Sequence, residues 1–325
     1  MKIKWYPWLS IHYQNIIFKY NKKIFNPVLL METPKKIGSF ELIWALSTWM
    51  LCTSKIGMKF CKKCLGCCLM FSKSHPDWYF LDSDNKQIDA VSTRSIIQKI
   101  FNTPQQGGLK IIYLKNPFKF SSFISDSLLK ILEEPPNNTF FFITNNEPLK
   151  QYKDTLYSRC VKYKITQPDK KNSLIWLKKN TLFEKKKCLI ALKISNYSPI
   201  LAKNILNSNL WQERHDLFKT FYKLIKTNLF LNLLPLINTK NYLLKIEWIN
   251  CIFLDSLKYY YKLYKNIQNI DQIKLIKKLY KNFSKKSLNE KIQSLLRCKK
   301  KLLKKTNINS ELIILQELIK WKINN

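Results

Sequence analysis

Residues 107–144 read GGLKIIYLKNPFKFSSFISDSLLKILEEPPNNTFFFIT. After the glycine pair, residues 109–114 form an apolar run typical of a buried strand, and residues 139–144 form a second one. The residues between them have helical spacing over 123–134, and Pro135-Pro136 ends that helix. Two buried strands joined by a helix indicate parallel neighbours in one sheet, since a parallel pair needs a crossover connection. This segment predicts an α/β fold.

The same alternation extends toward both ends of the chain. Further strands are predicted at 27–30, 78–81 and 161–165, and further helices at 9–20, 39–52 and 92–101, with Ser39 as the N-cap of the second. Beyond residue 167 the pattern is helical almost throughout. We therefore predict a parallel sheet with helices on both faces in residues 1–166, a small helical domain in 167–207 and an all-helical domain in 208–325.

The charge of the chain is extreme, but its origin is ambiguous. Lysine and arginine exceed the acidic residues by 36 in 325 residues, which is typical of proteins that bind nucleic acid or anionic membranes. All but four of the basic residues are lysines, and Asn, Ile, Tyr and Phe are also abundant, as expected for an AT-rich genome. Lysine doublets are scattered over all three predicted domains, which favours a compositional origin over one dedicated groove.

Membrane and secreted classes are not indicated. No signal peptide is evident near Trp5-Tyr6-Pro7-Trp8, and no apolar run approaches the length of a membrane span. Nine cysteines in such a chain, four of them closely spaced, suit a reducing compartment with a metal site. A cytoplasmic protein without a membrane partner is expected.

Four cysteines have the spacing of a metal site. Cys52, Cys61, Cys64 and Cys67 form the pattern C-x8-C-x2-C-x2-C, with Gly66 predicted to ease the bend. Four thiolates complete a tetrahedral zinc site and leave no position for water or substrate, so a structural Zn²⁺ is predicted in a module over about 52–68. Cys68 and His75 remain alternative ligands.

The loop between the first strand and its following helix lies where a phosphate-binding loop belongs. Its residues are Thr33-Pro34-Lys35-Lys36-Ile37-Gly38-Ser39-Phe40, and of the pattern G-x-x-x-x-G-K-[ST] only Gly38 is in place. Ser39 replaces the phosphate-binding lysine and Phe40 the magnesium-binding hydroxyl. The strand at 109–114 is followed by Lys115 and Asn116, where acidic residues would hold Mg²⁺. The loop is degenerate, and no ATP hydrolysis by this chain is expected.

Two short motifs remain. Glu133-Glu134 before Pro135-Pro136 indicates a helix stop rather than a catalytic carboxylate pair, because adjacent helical residues point to different faces. Ser158-Arg159-Cys160 places one of the four arginines in a polar turn before the last strand, where it is either a surface ion pair or a group that reaches a neighbouring subunit's nucleotide.

Taken together, these motifs resemble a known family. The Trp5-Tyr6-Pro7-Trp8 start, the degenerate loop, the four-cysteine module, Leu132-Glu133-Glu134-Pro135-Pro136 and Ser158-Arg159-Cys160 occur in the order seen in the delta-prime family of bacterial DNA polymerase III clamp-loader subunits. The resemblance covers residues 5 to about 208, with a weaker echo at 307–312.

The resemblance implies an AAA+ domain carrying the zinc module, a helical lid domain and a helical collar domain that oligomerises. It implies a non-hydrolysing stator, a non-catalytic subunit of the DNA-directed DNA polymerase (nucleotidyltransferase) holoenzyme. The implied partners are gamma/tau motor subunits and the delta subunit, with the beta sliding clamp and primer-template DNA reached through the complex. Carried over by position, Arg159 is an arginine finger acting in trans on a motor subunit's ATP, with Ser158 and Cys160 beside it.

Two other functions fit parts of the sequence. An autonomous AAA+ ATPase acting on DNA would hydrolyse ATP in isolation. A lysine-rich zinc-containing DNA-binding protein would bind DNA alone, with steep dependence on salt.

Overall fold

A computed structural model describes residues 4–34, 36–83, 98–106, 108–117, 122–145, 158–304 and 309–321. The chain divides into two compact units, Met1–Pro168 and Asp169–Asn325. The finer division of the second unit into domains at 167–207 and 208–325 stays a prediction.

The first unit is built on a parallel sheet, as the alternation of strands and helices predicts. In the described residues it has five strands: β1 Val28–Glu32, β2 Trp78–Asp82, β3 Lys110–Lys115, β4 Thr139–Asn145 and β5 Val161–Lys164. Their order across the sheet is β2-β3-β4-β1-β5, and every pair is parallel. Strand β1 pairs with β4 on one side and with β5 on the other, so the chain after β4 crosses over β1.

Both faces of the sheet are covered. Val28 and Leu30 of β1 pack in one apolar cluster with Leu128 and Leu132 of the crossover helix, and the alternate residue Met31 is also fully buried. A strand buried on both sides reads as a continuous apolar run, which explains why the strands were visible in the sequence.

Four helices of the first unit lie within the described residues: α1 Ser10–Asn21, α2 Ser39–Leu51, α3 Leu65–Ser72 and α4 Ser122–Glu133. The predicted N-cap of α2 is wrong, because Gly38 is the cap, with φ of 98°, and Ser39 is the first helical residue. Glycine suits that cap, since a left-handed backbone strains any other side chain. The predicted helix at 92–101 lies largely outside the described residues.

The second unit is helical throughout its described residues. Its helices are α5 Lys170–Lys179, α6 Lys185–Ile194, α7 Pro199–Asn207, α8 Leu210–Thr227, α9 Leu234–Ile237, α10 Tyr242–Tyr260, α11 Ile273–Asn282, α12 Lys285–Lys304 and α13 Ser310–Ile319. Ser198 caps α7 and Asn309 caps α13 through their side chains, as their residue types favour.

Two separate apolar cores hold this unit together. One joins α5, α6 and α7 around Leu177, Cys188 and Leu192. The larger one joins α8 to α13 around residues such as Phe221, Phe253 and Trp321. The predicted fold class, a parallel α/β domain followed by helical domains, is confirmed.

Within the described residues, no helix combines the length and apolar character that crossing a bilayer requires.

Candidate functional site

The four predicted metal ligands come together in the first unit. The sulfur atoms of Cys52, Cys61, Cys64 and Cys67 all lie within 4.8 Å of one another. The Cys52 sulfur is 3.5 Å from that of Cys61 and 3.8 Å from that of Cys64, and the Cys61 and Cys67 sulfurs are 3.9 Å apart. A tetrahedral Zn²⁺ with Zn–S bonds of about 2.3 Å separates its sulfurs by about 3.8 Å. The four thiols thus fit a tetrahedral metal ion.

Local structure supplies each sulfur from a helix end or a turn. Cys52 directly follows α2, and Cys64 is the N-cap of α3. Between them, an antiparallel bridge from Ile56 to Lys59 turns the chain back toward α2. Cys67 then lies in the first turn of α3, three residues after Cys64, so both sulfurs face the same point.

Backbone N–H groups converge on the sulfurs. The Cys61 sulfur accepts hydrogen bonds from the amides of Lys63 and Cys64 at 3.4 and 3.2 Å, and the Cys52 sulfur accepts one from the Cys61 amide at 3.3 Å. The two amide hydrogen bonds lower the pKa of the Cys61 thiol. These bonds favour thiolate, the form that binds metal.

Burial and hydrogen bonding shift the pKa values of the other three thiols in different directions. Burial raises the pKa of Cys64, but hydrogen bonds from Cys67 and Thr53 outweigh it and lower that pKa to about 5. Burial raises the pKa values of Cys52 and Cys67 above the ordinary range. A cation in the cluster is what would bring all four to the thiolate form.

The two alternative ligands lie apart from the cluster. Cys68 is exposed, and its sulfur is 3.6 Å from the backbone carbonyl of Lys63. His75 is buried, and its Nδ1 accepts a hydrogen bond from the Asp77 amide. Neither belongs to the group of four sulfurs.

Gly66 serves a different purpose from the predicted bend. It lies inside α3, and a Cβ placed there would be 2.6 Å from the carbonyl oxygen of Leu51. Glycine is needed because the end of α2 approaches the backbone of α3 closely, and this approach brings Cys52 to the other sulfurs.

The degenerate phosphate loop is packed with apolar side chains. Ile37 is fully buried, and a Cβ on Gly38 would lie 2.7 Å from the ring of Tyr6. The Tyr6 ring stacks on Trp8, whose indole N–H donates to the Ile37 carbonyl at 2.8 Å. The amino-terminal aromatic residues thus cover the loop.

The helix start beyond the loop is also joined to the protein interior. Ser39, at the position of the phosphate lysine, lies near the Tyr113 hydroxyl, which pairs with Thr144 at 3.0 Å. Phe40, at the position of the magnesium-binding hydroxyl, packs on Phe80 with ring centroids 5.4 Å apart. Of the predicted loop residues, Thr33 has a buried hydroxyl without a hydrogen-bond partner, and Lys36 is exposed.

The strand end that would hold magnesium carries a lysine and an asparagine. The Lys115 ammonium is 2.6 Å from the carboxylate of Asp82 at the end of neighbouring β2. Asn116 is buried, and its backbone N–H donates to the backbone carbonyl of Thr144 at 2.8 Å. The residues that are present do not fit a Mg²⁺–ATP complex bound in the usual phosphate cradle.

Arg159 forms a surface ion pair, one of the two alternatives that its motif left open, with a partner that the sequence did not reveal. Its Nε and Nη2 atoms both contact Oε1 of Glu133, the last residue of α4. About a quarter of the Arg159 side chain remains exposed, at 28%, so its guanidinium is held at the surface. Cys160 next to it is buried, and burial raises its pKa to about 11. Ser158 is exposed.

Arg159 and the degenerate loop lie at opposite ends of the parallel strands, Arg159 at the amino ends and the loop at the carboxyl ends. Leu29 at the start of β1 pairs with Val161, two residues after Arg159, whereas the loop follows Glu32 at the other end of β1. Strands rise about 3.3 Å per residue, so Leu29, beside Val161, is roughly 10 Å from Glu32, where the loop begins. Arg159 thus lies away from its own chain's phosphate loop.

Sequence reasoning missed Glu133 and Tyr6 as parts of these sites. Glu133 was assigned to a helix stop, which it also is, and the pairing depends on the sheet order that brings the end of α4 beside the start of β5. The one sign of this contact in the sequence is that Glu133 precedes β4 and Arg159 precedes β5, so both lie toward the amino ends of parallel strands.

Known proteins match this chain over almost its whole length. The family model described as "DNA polymerase III, delta subunit" matches residues 10–169, and "DNA polymerase III, delta subunit, C terminal" matches 208–322. The DNA polymerase III subunit delta' of Buchnera aphidicola subsp. Acyrthosiphon pisum is 41% identical over 98% of each chain. The subunit delta' of Escherichia coli K12 is 28% identical, covering 98% of this chain and 95% of the relative. Among solved structures, the DNA clamp loader delta protein of Bacillus subtilis is similar over 95% of this chain and 99% of its own, with 12% identity and a TM-score of 0.34.

Proposed function

The chain belongs to the DNA polymerase III subunit delta' family, and from this membership we propose that it is the non-hydrolysing stator of a clamp loader. In this role it assembles with gamma/tau motor subunits and a delta subunit, and helps to place the beta sliding clamp on primed DNA. Such work belongs in the cytoplasm, where bacterial chromosomes are copied.

The packing of the phosphate loop supports the absence of hydrolysis. Tyr6 lies against Gly38, Ser39 stands where a lysine would face the phosphates, and Phe40 packs on Phe80 where a metal-binding hydroxyl would lie. Lys115 neutralises Asp82 at the adjacent strand ends. Purified alone, the chain should show no ATP turnover above a buffer blank, and turnover that Arg159→Ala abolishes would instead support the autonomous ATPase.

The placement of Arg159 carries the second part of the proposal. The arginine lies at the edge of the sheet opposite its own loop, partly exposed and oriented by Glu133. A guanidinium held this way can reach the γ-phosphate of ATP on an adjacent subunit and stabilise the charge that builds up in the transition state. Arg159 is therefore the proposed finger in trans, and Glu133 is a positioning residue.

The test is a clamp-loading and ATPase assay of the assembled loader. Arg159→Ala should lower the ATPase rate of the motor beside it by roughly 10³-fold or more, since fingers contribute 10³ to 10⁵ in other phosphoryl-transfer systems. Arg297→Ala, an exposed arginine of α12, is the matched control and should leave the rate unchanged. Equal rates for wild type and Arg159→Ala, with both loaders fully assembled, would refute the finger.

We also propose that Cys52, Cys61, Cys64 and Cys67 hold a structural Zn²⁺. The proposal is supported by sulfur separations that match a tetrahedral ion and by four protein ligands that leave no site for substrate. When bound, the metal would supply folding free energy, on the order of 10 kcal/mol locally, by fixing α2 to α3. Metal analysis of the purified chain should give one zinc per chain, and a value well below one would contradict the site.

A further inference from the structure

A basic cleft lies between α8 and the start of α11 in the second unit. Its volume is about 660 Å³. The α8 wall consists of residues that share one helical face: His215, Phe218, Lys219, Tyr222 and Lys223. The α11 wall includes Ile273, Lys274, Leu275 and Lys277, preceded by Asp271 and Gln272.

The charge of this cleft is almost entirely positive. Lys219, Lys223, Lys274 and Lys277 are all exposed, and in the described part of the chain none of them has an ion-pair or hydrogen-bond partner. Some lysines elsewhere in this unit are paired with acids, as Lys245 is with Glu213 at 2.6 Å and Lys299 with Glu247 at 3.1 Å. A concave surface lined by one sign of charge focuses its field and concentrates counter-ions.

Among the described residues that line the cleft, the one acidic side chain is already neutralised. Both carboxylate oxygens of Asp271 accept hydrogen bonds from the fully buried Arg214, at 2.7 and 3.0 Å. Gln272 donates to the same carboxylate. Asp271 therefore does not offset the four lysines, and the cleft keeps an excess of positive charge that an anionic ligand would balance.

The floor between the lysines is aromatic. Tyr222 is 40% exposed, and Phe218, one helical turn earlier, is fully buried in the core. The Lys278 ammonium lies 4.1 Å from the centroid of the Tyr222 ring and donates to its backbone carbonyl, so the ring is held in place. Lysines that neutralise phosphates, with an aromatic ring on which a base can stack, are the combination that binds single strands without sequence preference.

We propose that the basic cleft binds a segment of single-stranded DNA. Lys219 and Lys223 on one wall and Lys274 and Lys277 on the other contact the phosphates, and one base stacks on Tyr222. A carboxylate-rich peptide is less well matched, because the cleft offers point-charge lysines and a stacking ring instead of the bidentate arginine forks that suit carboxylates. This site shares no residue with the cysteine cluster or with the Arg159 ion pair.

The test measures binding of a fluorescent oligothymidylate of about 16 nucleotides, a length within the range of single-strand sites, to the full chain at several salt concentrations. The cleft variant is Lys219→Gln, Lys223→Gln, Lys274→Gln and Lys277→Gln combined. The control combines Lys171→Gln, Lys178→Gln, Lys185→Gln and Lys186→Gln, which removes four exposed lysines from α5 and α6 of the same unit. Both variants have the same net charge, and circular dichroism checks their folding.

We expect the cleft variant to lose at least tenfold in affinity, and the slope of log K against log salt to shrink by about 0.7 for each phosphate that the cleft no longer neutralises. The control should change by less than twofold. Tyr222→Leu, which keeps the backbone bond to Lys278, should weaken binding about fivefold or more with an unchanged salt slope.

Three results would overturn the proposal. They are no measurable strand binding by the wild-type chain, equal losses in the two quadruple variants, or polyglutamate binding that depends on the cleft lysines while oligothymidylate binding does not. Because the isolated chain is tested without nucleotide, these outcomes are independent of the finger in the assembled loader.

Discussion

The guanidinium of Arg159 and the carboxylate of Glu133 form one ion pair across 26 residues of sequence. The pair joins the end of α4 to the turn before β5, at the amino edge of the sheet. Two short motifs that look unrelated in the sequence are thus parts of one surface.

Glu133→Gln should weaken the proposed finger without unfolding the protein. Both side chains are partly exposed, so losing the ion pair should change the free energy of unfolding by less than about 1 kcal/mol. The assembled loader's ATPase rate should nevertheless fall several-fold, to a value between wild type and Arg159→Ala, because the guanidinium is no longer oriented. Glu134→Gln, which alters the adjacent exposed carboxylate, is the control. Equal rates in the two variants would show that Glu133 does not position the arginine.

Cys61→Ser and Cys68→Ser should differ sharply in metal content. Cys61 lies in the group of four sulfurs, whereas the exposed Cys68 does not. We expect Cys68→Ser to retain one zinc per chain and Cys61→Ser to retain much less, with a lower melting temperature, because a structural site needs its fourth ligand. Zinc released to a chromophoric chelator measures both. The ligand set is wrong if Cys68→Ser loses the metal.

Gly66→Ala should destabilise the first unit by about 1–3 kcal/mol, the range for overpacking. Its Cβ would lie 2.6 Å from the Leu51 carbonyl oxygen, a backbone atom that cannot rotate away. Gly108→Ala meets nothing within 4 Å and serves as the control. Urea unfolding of the zinc-loaded chains compares them, and equal midpoints would contradict the close approach of α2 and α3.

Asp271→Asn should destabilise the second unit and reduce its sensitivity to acid. Burial raises the pKa of Asp271, but hydrogen bonds and charge from Arg214 outweigh it and hold that pKa below its ordinary value. A carboxylate with a lowered folded-state pKa stabilises fully above the unfolded pKa of about 3.9, and this stability is lost as pH falls through the folded pKa.

At pH 7 the Asp271→Asn variant should be less stable by about 3–5 kcal/mol, because Arg214 stays buried without its counter-charge. Between about pH 5 and pH 3 it should lose less further stability than wild type. Asp216→Asn, on the exposed side of α8, should change stability by less than about 0.5 kcal/mol. Urea unfolding at each pH measures all three chains. A variant as stable as wild type at pH 7 would mean that the Arg214 pair contributes nothing.

Much of the fold could be predicted from local sequence patterns. The strands were predictable because β1, β3 and β4 are buried on both faces and read as apolar runs, and the cysteine cluster because its spacing alone brings the sulfurs of Cys61, Cys64 and Cys67 close together.

Contacts between distant segments were not predictable. The pairing of Arg159 with Glu133 depends on β5 lying beside β1, and that of Arg214 with Asp271 on α8 packing near α11, 57 residues later. Sequence periodicity reports which face of an element is buried, but not which other element covers it. The cleft lysines Lys219 and Lys223 do not form a doublet, because they lie four residues apart on one helical face of α8.

The covering of the phosphate loop bears on how such a protein changes over generations. Putting a lysine back at Ser39 would not recreate a cradle, because Tyr6 still lies on Gly38 and Trp8 still holds the Ile37 carbonyl. Building a complete phosphate cradle here would require several substitutions at once, because the aromatic side chains on the loop would also have to be replaced. The aromatic cover therefore opposes the recovery of a phosphate cradle by any single substitution.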